Sequence, residues 1–138
     1  MKIVYYSSTG NTEKMAELIA QGIVNGGKTA ELINVFNADS SVFDEEDIII
    51  LGCSAMGDEV LEESEFEPFI ESISSKISGK KVALFGSYGW GDGKWMRDWQ
   101  ERMESLGCTL ICEGLIVQYE PEDNCEECIN FGMTIAKA

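Results

Sequence analysis

The sequence predicts a three-layer α/β domain: a doubly wound parallel sheet with helices on both faces. Three observations lead there. Apolar runs of strand length alternate with helical patterns from end to end, which implies right-handed crossovers between parallel strands. The central runs Ile48-Ile49-Ile50-Leu51 and Val82-Ala83-Leu84-Phe85 are unbroken apolar stretches, as expected of strands covered on both faces. The 138 residues, 44% of them apolar, fit one domain spanning 1–138 with a real core.

Lys2-Ile3-Val4-Tyr5-Tyr6 reads as the first strand. A helix follows from about Asn11, with Met15, Leu18, Ile19 and Ile23 on one face, and stops at Asn25-Gly26-Gly27. Glu31 to Val35 is a weaker strand, and Asp47 to Gly52 the next. A helix from about Phe66 sets Phe66, Phe69, Ile70, Ile73 and Ile77 along one stripe. Lys81 to Gly86 is a buried strand, and the helix after it carries Trp95, Met96, Trp99, Met103 and Leu106. The last strand region covers Thr109 to Cys112 and Leu115 to Tyr119, and a final helix runs from about Asp123 to Ala136. There is no repeat, low-complexity tract or linker.

Charge narrows the function. The formal net charge is −15, and residues 1–70 hold fourteen acids against three bases. Such a chain is repelled by nucleic-acid backbones and anionic membranes, and suits a basic protein partner. The same charge also serves solubility alone. No histidine is present, which removes the commonest general base, the commonest metal ligand and every Ser/His or Cys/His nucleophile. A bound cofactor is therefore expected to carry the chemistry. No apolar run approaches the ~18 residues of a membrane span, and Met1-Lys2-Ile3-Val4 opens without a cleavage signature. Five irregularly spaced cysteines fit a reducing cytoplasm better than a disulfide scaffold.

In a doubly wound sheet, ligands sit beyond the carboxyl ends of the strands where the winding reverses. Three unusual loops fall there. Ser7-Ser8-Thr9-Gly10-Asn11-Thr12 joins a strand to a helix start, where successive backbone N–H groups and hydroxyls form an anion site without a basic side chain. It lacks the Gly-Lys-Ser/Thr ending of a Walker loop and the spacing of G-x-G-x-x-G. Gly86-Ser87-Tyr88-Gly89-Trp90-Gly91-Asp92-Gly93 places two aromatics among four glycines, which suits close backbone approach and stacking. Cys53-Ser54-Ala55-Met56-Gly57-Asp58-Glu59 offers a polarizable methionine and a Gly-Asp pair for a tight turn. Together they supply a phosphate cradle and two walls for a planar ring.

At these residues the chain resembles the flavodoxins over its whole length. Residues 7–12 match the family's Ser/Thr-x-Thr-Gly-x-Thr phosphate loop. Met56-Gly57-Asp58-Glu59 and Ser87-Tyr88-Gly89-Trp90-Gly91 resemble the ring loops of clostridial short-chain flavodoxins. The resemblance implies a sheet in the order 2-1-3-4-5 and a non-covalently bound FMN. It further implies that Ser7, Thr9, Asn11 and Thr12 bind the phosphate with Ser54 close by, that Met56 and Trp90 flank the flavin, and that Glu59 accepts from its N(3)–H. The Gly89 and Trp90 amides would face N(1) and the neighbouring carbonyl, with Ser87 and Tyr119 near the ribityl chain. Ser8, Gly10, Ala55, Gly57, Asp58, Tyr88 and Gly91 complete the site.

The implied function is a low-potential one-electron carrier, not a catalyst, cycling between semiquinone and hydroquinone. Positive φ at Gly57 would let a turn carbonyl face flavin N(5). With no Lys or Arg in residues 54–60 or 86–93, charge added to the ring meets the phosphate and nearby carboxylates. The acids of residues 58–67 suggest docking of basic redox proteins to a monomer. The alternative is an FMN-dependent reductase, or a dedicated activator of one enzyme, using the same pocket. A receiver domain is disfavoured, because the first and third strands end in Tyr6-Ser7 and Gly52-Cys53 and not in acids. A phosphatase needs a Cys and an Arg in its phosphate loop, and 7–12 has neither. Cys125-x-x-Cys128 aligns with Ile129, Gly132 and Ile135 and reads as core packing; Cys108 and Cys112 read as structural.

Overall fold

The computed structural model describes all 138 residues, Met1–Ala138. Strands β1 (Lys2–Tyr6), β2 (Glu31–Asn34), β3 (Ile48–Cys53), β4 (Lys81–Tyr88), β5 (Thr109–Leu110) and β6 (Leu115–Gln118) alternate with helices α1 (Asn11–Asn25), α2 (Phe66–Ile73), α3 (Lys94–Ser105) and α4 (Glu126–Ala136). The sheet is parallel throughout, in the order β2-β1-β3-β4-β5. The edge lane beyond β4 is broken: β5 pairs with its start (Lys81 opposite Thr109) and β6 with its end (Phe85 opposite Leu115). The expected order is therefore found, with the fifth strand in two pieces.

Side chains alternate across the central strands and build two cores. Val4, Ile49, Leu51, Val82 and Leu84 face α2 and α3, packing on Phe66, Phe69, Trp95, Trp99 and Met103. Ile3, Tyr5, Ile50, Ala83 and Phe85 face α1 and α4, packing on Met15, Ile19, Ile23, Phe131 and Ile135. Each such apolar side chain contributes roughly 1.5–3 kcal/mol on burial. Phe66 meets Trp99 edge-on, with ring centroids 5.5 Å apart and planes at 89°. Helices α1 and α4 touch backbone to backbone: a Cβ on Gly22 would lie 2.0 Å from the Ile129 carbonyl oxygen, and one on Gly132 2.1 Å from that of Ile19.

Two helices are shorter than the apolar spacing suggests. α2 ends at Ile73, and Ile77 reaches the core from the turn that follows. α4 begins at Glu126, so Cys125 is its N-cap, half-buried against the core, whereas Cys128 is fully buried. Both cysteines pack on the core as expected, Cys125 from outside the helix, whose start lies three residues later than the sequence suggests. Because all strands run the same way, β1, β3, β4 and β6 end at one edge. The loops after them form the site.

Candidate functional site

The first loop turns at Gly10 (φ +93°), the N-cap of α1. Ser7 organises it from below: its Oγ accepts from the Gly10 and Glu13 amides, both at 3.1 Å. The amides of Ser8, Thr9, Asn11 and Thr12 donate to nothing within the chain. Ser8, Thr9 and Gly10 are exposed. Four unspent N–H groups at the positive end of a helix make an anion site.

Beneath this loop, four chain segments meet on hydroxyl groups. Thr12 Oγ1 lies 2.8 Å from Ser54 Oγ and accepts from the Ser87 amide at 3.2 Å. The Ser87 hydroxyl donates to the Tyr119 carbonyl at 2.7 Å, and the Ala55 amide to the Ser87 carbonyl at 3.0 Å. Thr12, Ser54 and Ser87 are all buried. In a low-dielectric interior such a closed network fixes relative positions, so the loops after β1, β3, β4 and β6 are held as one frame.

The second loop is a narrow hairpin closed by two Met56–Val60 backbone bonds of 2.9 and 3.0 Å. Gly57 (φ +45°) and Glu59 (φ +57°) take the left-handed region and Asp58 does not. That sign at the first central residue is the one a type II′ turn needs. Glu59 reaches across to the third loop, where its Oε1 accepts from the Gly93 and Lys94 amides, each at 3.1 Å. It thereby caps α3 and joins the second loop to the third.

In the third loop Tyr88 packs on Trp95, with centroids 5.5 Å apart, while Trp90 stands 62% exposed. The Tyr119 amide donates to the Tyr88 carbonyl at 2.7 Å and Gln118 Nε2 to the Gly89 carbonyl at 3.2 Å. Tyr119 itself is 63% exposed, at φ +59°. Met56 and Ala55 are half-buried, Gly57, Asp58 and Gly91 exposed. All the residues singled out in sequence thus gather at one edge.

The fold adds charges that loop sequence alone omits. The first turn of α3 brings Lys94 and Arg97 beside the third loop, and Lys14 stands at the start of α1. Each is already engaged: Lys94 with Asp98 (2.7 Å), Arg97 with Asp92 (2.9 Å), Lys14 with Asp123 (2.7 Å) and Glu120 (3.2 Å). The Arg97 guanidinium holds the Asp92 carboxyl below its ordinary range, and the Lys14 ammonium does the same for Asp123. Among the acids of residues 58–67, Glu62 is only 6% exposed and its carboxylate takes the Ser64 and Glu65 amides at 2.8 and 2.9 Å. Glu67 pairs with Arg102. Asp58, Glu63 and Glu65 are left facing outward or unpaired. Burial pushes the Cys53 thiol under the loops up to about 12, so it stays an inert thiol.

Sequence reasoning missed the capping role of Glu59, the tie from Lys14 to residues 120–123, and Gln118. Only the last had a local signal, standing next to Tyr119. The other two join residues distant in sequence.

Comparison with known proteins agrees with this architecture. The flavodoxin family model matches residues 3–132. The chain is 68% identical over 136 residues to the flavodoxin of Clostridium beijerinckii, covering 99% of each. It is 44% identical over 138 residues to that of Megasphaera elsdenii, covering 100% of this chain and 99% of that one. The solution structure of the two-electron reduced M. elsdenii protein superposes with a TM-score of 0.90, over 99% of this chain and 98% of that one. The chain therefore belongs to the flavodoxin family, whose members bind FMN and carry electrons rather than catalyse reactions on their own.

Proposed function

We infer that FMN lies across this edge of the sheet, its phosphate in the 7–12 loop and its ring between Met56 and Trp90. One observation carries the reading: a helix start with four unspent amides stands beside two aromatic side chains, Trp90 and Tyr119, that the chain leaves exposed. The residues present fit the cofactor. The amides of Ser8, Thr9, Asn11 and Thr12, the side chains of Thr9 and Asn11 and the free proton of the Ser7 hydroxyl would hold the phosphate, with Gly10 at the bend. Thr12 and Ser54 act mainly as its buried support, since their hydroxyls face each other.

Met56 offers a polarizable sulfur to one ring face and Trp90 an indole to the other. The second carboxylate oxygen of Glu59 would accept from N(3)–H, and the Gly89 and Trp90 amides would face N(1) and its neighbouring carbonyl. Ala55, Gly57, Asp58, Tyr88 and Gly91 complete the walls, with Ser87 and Tyr119 toward the ribityl chain. Bound FMN supplies the one-electron chemistry, and the protein sets its potentials. Neutral donors leave the phosphate charge in place. Lys94, Arg97 and Lys14 are spent on their own carboxylates, so negative charge added at the ring stays poorly compensated.

The docking surface we assign to basic redox proteins is narrower than the acid run. Asp58, Glu63 and Glu65 rim a groove of about 660 Å³ that also takes in Tyr6, Phe36 and Met56. The carrier acts as a single-domain monomer; its five cysteines, none of them paired, suit a reducing cytoplasm.

Titrating the apoprotein with FMN tests the site. Trp90→Ala should weaken binding about tenfold, equivalent to about 1.4 kcal/mol, and leave urea unfolding of the apoprotein unchanged because Trp90 is exposed. An unaltered FMN affinity would remove Trp90 from the site.

A further inference from the structure

α4 starts on two cysteines that the flavin site does not use. Cys125 is the N-cap (φ −51°, ψ 102°) and Cys128 lies three residues on, within the first turn. Glu126 and Glu127 between them are helical, so helix geometry sets the Cα separation. A rise of 1.5 Å and a turn of 100° per residue on a 2.3 Å radius give about 5 Å. Disulfides bridge Cα atoms roughly 4.4–6.8 Å apart. The Ile129 amide, donating to the Cys125 carbonyl at 3.2 Å, closes that turn and holds the spacing.

The two thiols differ in a way that assigns them different parts. Cys125 is half-buried and lines a cavity of about 710 Å³ with Val117, Gln118, Pro121 and Asn124, so a small reagent reaches it. Cys128 is fully buried, and burial first, then the neighbouring Cys125 thiol, pushes it far above its ordinary range. Cys128 lies wholly inside the core, and Cys125 packs against the same core from its edge; at the N-cap, where Ser, Thr, Asn or Asp is preferred, Cys125 makes no capping hydrogen bond. The other thiols lack such a neighbour in the chain: Cys53 is enclosed, and Cys108 and Cys112 flank the extended strand β5.

We propose that Cys125 and Cys128 form a reversible dithiol–disulfide site at the start of α4, oxidised by low-molecular-weight disulfides. The Cys125 thiolate attacks one sulfur of RSSR, forming Cys125–S–SR and releasing RS⁻. Cys128 then attacks Cys125 Sγ as its proton passes to the departing sulfur, and the second reagent half leaves as RSH. The protein dithiol loses two electrons and two protons, and the reagent becomes two RSH. The reverse exchange with excess RSH restores both thiols. Cys125 is the entry sulfur because it is reachable, and Cys128 the resolving one because it meets an electrophilic sulfur only after the first exchange.

The test uses FMN-loaded, full-length protein in the dark, equilibrated with oxidised glutathione, acid-quenched, alkylated after denaturation and peptide-mapped. Two of the five thiols should be lost to alkylation, in a fragment linking Cys125 to Cys128, and dithiothreitol should return both. Cys125→Ser should lose none, and it places a favoured capping residue at the N-cap, so folding is retained. Cys128→Ser should stop at one glutathione per chain, on Cys125. The proposal is overturned if wild type keeps all five thiols. It is equally overturned if wild type holds a lasting glutathione adduct on Cys125, or if the link formed joins Cys112 to Cys125.

Discussion

Replacing Thr12 by valine removes one hydroxyl and almost no volume, and the loss falls on the frame beneath the site. Thr12 Oγ1 is the partner of both the Ser87 amide (3.2 Å) and the Ser54 hydroxyl (2.8 Å). All three residues are buried, so neither orphan gains water in exchange. Each buried group left unpaired costs about 1–3 kcal/mol, and two of them put the change at about 2–6 kcal/mol. Urea unfolding of the apoprotein, with a slope of ~1.5 kcal/mol per molar, should show the midpoint falling by more than about 1 M at constant slope. Thr12→Ser keeps the hydroxyl and should lose far less. The double change Thr12→Val with Ser54→Ala leaves only the Ser87 amide stranded, so it should cost less than the two single changes added together. A Thr12→Val midpoint within error of wild type, or strict additivity in the double variant, would refute the frame.

Three further outcomes follow from the same geometry. Gly57→Ala meets no neighbour, since nothing lies within 4 Å of its new Cβ, but φ is +45° there. The left-handed penalty of about 1–2 kcal/mol corresponds to a first one-electron potential roughly 40–80 mV more negative at ~59 mV per tenfold, read by spectroelectrochemistry. Gly132→Ala drives a methyl to 2.1 Å from the Ile19 carbonyl oxygen, forcing α4 off α1 at a cost of at least about 2 kcal/mol; chemical denaturation measures it. Asp58→Asn combined with Glu63→Gln removes two exposed carboxylates and should raise the second one-electron potential by tens of mV, taking about 1.7 kcal/mol per charge at roughly 10 Å before screening. It should also flatten the ionic-strength dependence of electron transfer to a basic partner. Glu62 is the wrong neighbour to change for this purpose, because its carboxylate holds two backbone amides.

The central architecture was legible because its signals are local and repeated. Ile48 to Leu51 and Val82 to Phe85 can be buried on both faces only in a covered sheet, and they are. The 7–12 loop was legible because a helix start leaves its amides unpaired whatever the surrounding fold. Element ends were less so. Ile77 keeps the period of α2 yet reaches the core from a turn, and Cys125 keeps that of α4 while standing outside it. In both cases burial, and not helical phase, decides the spacing. Electrostatics was read least well, since a window of sequence shows which charges are near in the chain and not which are near in space. The loops themselves carry no base, but the fold brings Lys94, Arg97 and Lys14 to their rim and neutralises each locally. Likewise Glu59 and Glu62 are indistinguishable from docking carboxylates in sequence, and both prove to hold backbone amides.

The salt dependence of FMN affinity, compared with that of riboflavin, tests the grip on the phosphate most directly. Amides and hydroxyls alone at residues 7–12, on a chain of net charge −15, predict that FMN binds far more tightly than riboflavin. They also predict that this advantage holds or grows as salt rises, because screening relieves the repulsion between protein and ligand. An FMN affinity that falls steeply with salt while that of riboflavin stays level would mean that a cation holds the phosphate, and would contradict the account.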